Sequence, residues 1–123
     1  MIRALLFVAL TLVDRPGLAA DIPVTGVFGS SEEACDAYAE GGTKSIVSGN
    51  GAVGLIVGPY ELVGLEWGCR ADAVFGTSAT LTCSGEGETW TETATFREDG
   101  DTLILMIGDD PPETLHRCAS PGS

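Results

Sequence analysis

Polar and apolar residues alternate along most of the second half of the chain. Ala79, Leu81 and Cys83 oppose Thr80, Thr82 and Ser84, while Trp90, Glu92, Ala94 and Phe96 oppose Thr89, Thr91, Thr93 and Thr95. A period of two marks a strand with one buried face. From Glu61 onward the same rule puts Val63, Leu65, Trp67 and Cys69 on one face and Glu66 and Gly68 on the other. Thr102 to Ile107 is apolar on both faces, which predicts a central strand. Shorter runs at Val24 to Phe28, Ser45 to Ser48, Val53 to Val57 and Glu113 to Cys118 complete the set. Turn residues separate them: Gly49-Asn50-Gly51, Gly58-Pro59, Phe75-Gly76-Thr77, Ser84 to Gly87, and Asp99-Gly100, read as a type I′ hairpin turn. The expected fold is mostly β, an antiparallel meander closing as a small barrel or a sandwich.

One segment breaks the period of two. Glu32 to Glu40 is rich in helix formers, stops at Gly41-Gly42, and begins with Ser30 and Glu33 at capping-box spacing. It predicts one short N-terminal α-helix whose face of Cys35, Tyr38 and Ala39 docks on the strands. Residues 1–19 read as a signal peptide. Arg3 supplies the positive start, Ala4 to Val13 is apolar, Asp14 to Gly17 breaks it, and Gly17 and Ala19 are small. The apolar run is about half the roughly twenty residues needed to cross a bilayer core. Residues 20–123 are then a single disulfide-stapled β domain, with no cysteine after the cleavage site to carry a lipid anchor and a periplasmic or secreted destination.

Cysteine count and charge narrow the picture. Cys35, Cys69, Cys83 and Cys118 make an even set in a short exported chain, which reads as two disulfides. If strands 61–69 and 78–84 form a hairpin about Phe75-Gly76-Thr77, Cys69 faces Cys83, leaving Cys35 to join Cys118. The full chain carries 18 acidic and 6 basic residues; without residues 1–19 the counts become 17 and 4, a net charge of −13. With no basic cluster, nucleic acid is excluded as a partner. A basic protein is favoured by charge.

Several motifs invite chemical readings. Gly49-Asn50-Gly51-Ala52-Val53-Gly54 matches G-x-G-x-x-G, but Leu55-Ile56-Val57 after it is short, β-branched and ended by Gly58-Pro59, so a glycine-rich hairpin is expected and no dinucleotide. His116 has no motif-bearing nucleophile to serve. Glu92 is anomalous, a carboxylate on the face of Trp90, Ala94 and Phe96. It must escape through a bulge or sheet end, pair with an arginine, or line a cavity. The acids Glu98, Asp99, Asp101, Asp109, Asp110 and Glu113 gather in two turns flanking one strand, and are expected to share a sheet end. They lack a calcium-loop pattern. No metal, cofactor or catalytic residue is assigned.

Glu66-Trp67-Gly68-Cys69, then Cys83, then Pro112 to Cys118 (PETLHRC), resembles small exported proteins of uncharacterised function. The resemblance covers residues from about 55 to 118 and implies a two-disulfide β fold in the cell envelope without implying an activity. Three functions are expected in descending order. The first is an acidic binding module that partners or inhibits a cationic envelope or extracellular protein, with Asp99, Asp101, Asp109, Asp110, Glu92, Trp67 and Trp90 as candidate contacts. Next comes a small-ligand carrier with its pocket near Trp67 and Trp90, and last a hydrolase using Glu66 or Glu92. Mass spectrometry of the exported protein should find an N-terminus at Ala20 or Asp21; retention of the apolar run would refute the signal peptide.

Overall fold

Strands whose inner face is apolar and outer face polar can bury the first by curling on themselves into a closed barrel. The computed structural model, which describes residues 20–47 and 54–119, shows that outcome. Strands β1 (Phe28–Gly29), β2 (Ile56–Val57), β3 (Leu62–Gly64), β4 (Trp67–Phe75), β5 (Ser78–Gly85), β6 (Glu88–Asp99), β7 (Thr102–Ile107) and β8 (Glu113–Arg117) pair in chain order. Every pairing is antiparallel, and β8 returns to β1, so the meander closes as a barrel and not a sandwich.

The interior is apolar. Phe28, Leu62, Leu81, Phe96, Leu103, Leu105 and Leu115 are fully buried together with Ala71, Ala79 and Ala94, and no polar or charged residue is buried among the described ones. Each large side chain so buried contributes about 1.5–3 kcal/mol. Outside, β5 and β6 set Thr80 opposite Thr93 and Thr82 opposite Thr91, polar cross-strand pairs that suit a solvated face. A chemical site therefore has only the barrel ends or the outer surface to occupy.

The strand expected over 61–69 is two strands. A tight turn at Leu65 and Glu66 separates β3 from β4, with Glu66 in the left-handed region at φ 64°. The turn resets the alternation, so Leu62 points inward and Val63 packs outside beneath the helices. The type I′ assignment belongs to Glu86-Gly87, where both φ values are positive; at the β6–β7 turn only Gly100 is left-handed.

Two helices, α1 (Glu32–Gly41) and α2 (Thr43–Val47), span the connection from β1 to β2. Ser31, not Ser30, caps α1 by accepting the Ala34 N–H at 3.1 Å. The Ser30 hydroxyl instead accepts the Leu55 N–H at 2.8 Å, tying the helix entrance to the chain entering β2. Helix α2 replaces the expected strand from Ser45 to Val47, while Ser48 and the turn expected at Gly49-Asn50-Gly51 lie outside the described residues. Its Ile46 is buried with Ala34, Ile56 and Val63, so packing against the outer barrel wall overrides local β preference. Tyr38 and Thr43 both donate to Glu61, at 3.0 and 2.5 Å. Burial, then that hydrogen bond and the Glu61 charge, push the Tyr38 phenol above its ordinary value.

Both disulfides have the expected pairing. Cys69–Cys83 lies inside the barrel between directly opposed residues of β4 and β5. Cys35–Cys118 fastens α1 to the chain leaving β8. This bridge requires Gly29, where a Cβ would fall 2.7 Å from the Cys35 sulfur and 3.2 Å from that of Cys118.

The two bridges close loops of very different length, with sequence separations of 83 and 14. Chain-entropy reasoning gives about 4–5 kcal/mol for the longer and about 3 kcal/mol for the shorter. Denaturant unfolding should therefore show Cys35→Ser with Cys118→Ser to be the costlier pair of substitutions, and equal losses would contradict that ranking.

Candidate functional site at the open barrel end

Chain direction alternates around the barrel, so successive turns fall at opposite ends. The turns at 65–66, 86–87 and 108–112 share one end; those at 58–61, 76–77 and 100–101 share the other. The acids flanking β7 are thereby separated. Asp109, Asp110 and Glu113 lie at the first end, and Glu98, Asp99 and Asp101 at the second. The single acidic end expected from their sequence proximity does not form, because a six-residue strand stands between the two turns.

The second end is sealed. Ala20 donates to the Ala71 carbonyl at 3.0 Å and Ile22 to that of Pro59 at 2.7 Å, laying the segment before β1 across the opening. Ile22 and Val24 join the core beneath it. Thr25 then anchors the segment, its backbone N–H and hydroxyl each donating to the Glu98 carboxylate at 2.7 Å. Arg117 locks the corner, 3.5 Å from Glu98, 3.0 Å from Asp101 and 4.7 Å above the centre of the Phe28 ring. Glu98 and Asp101 are thus occupied by contacts within the fold.

Among the described residues the first end is open, and two adjoining cavities enter it. One, about 520 Å³, is lined among others by Leu65, Trp67, Leu105, Ile107, Asp110 and Glu113. The other, about 390 Å³, has Trp67, Trp90, Ile107 and the Cys69–Cys83 disulfide as its apolar walls, and Glu66, Glu86, Glu88, Glu92 and Asp110 as its acids. Trp67 lines both and divides the mouth. No described lysine, arginine or histidine lines either cavity.

Trp67 owes its position to its neighbours in register. Gly64 sits opposite on β3 and Gly85 on β5. A Cβ at Gly64 would come within 2.5 Å of the indole, and one at Gly85 within 2.8 Å of the Trp67 Cβ. Two missing side chains make room for one large one.

Glu92 keeps its inward orientation. Pairing of β6 with β5 is regular through Glu92 opposite Leu81; the bulge falls in β4, between Ala71 and Ala73, where Thr82 donates to Asp72. Pairing of β6 with β7 starts only at Ala94, so Glu92 stands at the sheet end, half-buried beside Gly108. Among the described residues it has no hydrogen-bond or ion-pair partner. His116 is exposed on β8, and no described group of three or more histidines, cysteines and acids could hold a metal.

Of the candidate contacts, Trp67, Trp90, Glu92 and Asp110 line the cavities, Asp109 stands beside them in the β7–β8 turn, and Asp99 and Asp101 lie at the far end. Sequence reasoning passed over Leu65, Glu86, Glu88 and Ile107 as site residues. Counting turns would have found the end they share, since every second turn of an up-and-down meander falls on one side. Comparisons with known proteins return no matching family model, curated protein or solved structure.

Gly64→Ala should displace the Trp67 indole, shifting tryptophan emission and costing about 1–3 kcal/mol. Gly87→Ala, where a Cβ meets nothing within 4 Å, serves as control. Its left-handed backbone strains the turn but should leave the emission unchanged.

Proposed function

We propose that the protein is an exported, non-enzymatic binding module that captures a basic protein partner at the open end of its barrel. The observation carrying this reading is the composition of that end: Glu66, Glu86, Glu88, Glu92, Asp110 and Glu113 line the two cavities without a basic side chain among them. Such a one-signed rim on a rigid scaffold attracts and orients a cationic surface. Inhibition of a cationic envelope or extracellular enzyme is the sharpest version, since the rim would cover the partner's surface while performing no reaction. Two disulfides suit the oxidising periplasm or extracellular space, and no helix among the described residues is long and apolar enough to cross a membrane. A small-ligand carrier is the second reading, favoured by the two cavities beside Trp67.

The test starts from affinity capture of basic proteins from envelope extract on the oxidised protein, followed by kinetics with the purified partner. Raising salt from about 0.05 M to about 0.5 M should slow association tenfold or more, because screening then acts within a few ångströms. Neutralising Glu86, Asp109, Asp110 and Glu113 together should slow it similarly, whereas Asp99→Asn with Asp101→Asn should not. Equal effects from the two sets, or indifference to salt, would remove the open end from the mechanism.

A further inference from the structure

We infer that the smaller cavity at the barrel mouth is a seat for one organic cation, the ammonium or guanidinium end of a side chain presented by the basic partner. This deepens the reading of the open end as the partner-binding end. Three independent features converge on it.

The first is Glu92. It projects from the inner face of β6, opposite Leu81, which is fully buried, and next in that row to buried Ala94. A half-buried carboxylate against apolar walls is costly without a counter-charge. Arg117 provides one for Glu98, and no described residue provides one for Glu92. A cation arriving from outside would supply it.

The second is the walls. Trp67 and Trp90 line the same cavity. Indole faces attract cations, and aromatic cages are a recurrent solution for organic ammonium groups. Glu66, Glu86, Glu88 and Asp110 around the rim repel anions from the same space and favour a cation over a neutral ligand.

The third is that the seat is built in advance. The Cys69–Cys83 disulfide and Ile107 form part of the lining, and Trp67 is held between Gly64 and Gly85. A volume of about 390 Å³ is enough for a side-chain end and falls in the range of small-ligand sites. A preformed site loses little affinity to ordering.

Lysine and arginine share this chemistry, and simple probes separate them. Trp67 and Trp90 are the only tryptophans in the chain and both line this cavity, so indole emission reports on the barrel mouth. The oxidised protein should be titrated with n-butylammonium, n-butylguanidinium and neutral 1-pentanol. At least one cation should bind tenfold or more tightly than the alcohol. Glu92→Gln, which keeps the shape and removes the charge, should weaken the cation about tenfold and leave the alcohol unchanged. The preferred cation then names the side chain. Alcohol binding as tight as both cations, or no response to either cation, overturns the seat, and both results come from the unmodified protein whatever the variant does. The partner reading fails separately. Cation binding without any basic partner keeps the seat and discards the partner, while a partner that associates by the acidic rim but is indifferent to Glu92→Gln discards the seat alone.

Discussion

Phe28 and Gly29 join the first and last parts of the barrel, pairing with Val57 and Ile56 on one side and with Arg117 and His116 on the other. Two residues give few backbone hydrogen bonds, too few to hold a strand against its own entropy. The side chains around them supply the difference. Phe28 is wholly buried in the core, the Arg117 guanidinium lies over its ring, and the Cys35–Cys118 bridge passes beside Gly29. Closure is thus set by packing and a covalent link, and the ladder follows. The buried interior, the sealed end and the open end all depend on that seam staying shut.

The seam also explains the division of labour between the two apolar clusters. Interior residues make the barrel, while Ala34, Ile46, Ile56 and Val63 form a smaller cluster between the helices and the outer wall of β2 and β3. Those two strands have two and three residues. Strands so short need cover on both faces, which the helices provide. The long strands β4, β5 and β6 need no such cover and leave a threonine-rich outer face to water.

Much of this was legible in the sequence, for reasons that can be named. Strict alternation through Leu81, Cys83, Trp90 and Phe96 fixed the inner face of β5 and β6. The pairing of Cys69 with Cys83 was expected from a bend at Phe75-Gly76-Thr77; the turn is Gly76-Thr77, with Phe75 opposite Ser78, and the bulge between Ala71 and Ala73 shifts the register so that Cys69 meets Cys83. The short elements were less visible. Val63, Leu65, Trp67 and Cys69 alternate as if in one strand, but a two-residue turn pairs residues of opposite parity, so Leu62 joins Cys69 on the inner face and Val63 does not. Ser45 and Ile46 look like strand residues, yet the helix forms there because Ile46 has a surface to cover. The site was legible in its parts and not in its assembly. Glu92 stood out as a misplaced charge, but which acids share its end depends on how many times the chain reverses, and local composition carries no such information.

The segment 20–25, laid across one end and pinned by Thr25 to Glu98, makes the barrel a cup instead of a tube. Whatever enters must leave by the same opening, so nothing is conducted through the molecule. One cup offers one mouth. On the proposed reading, a binder of this shape would meet one partner at a time and titrate its target copy for copy.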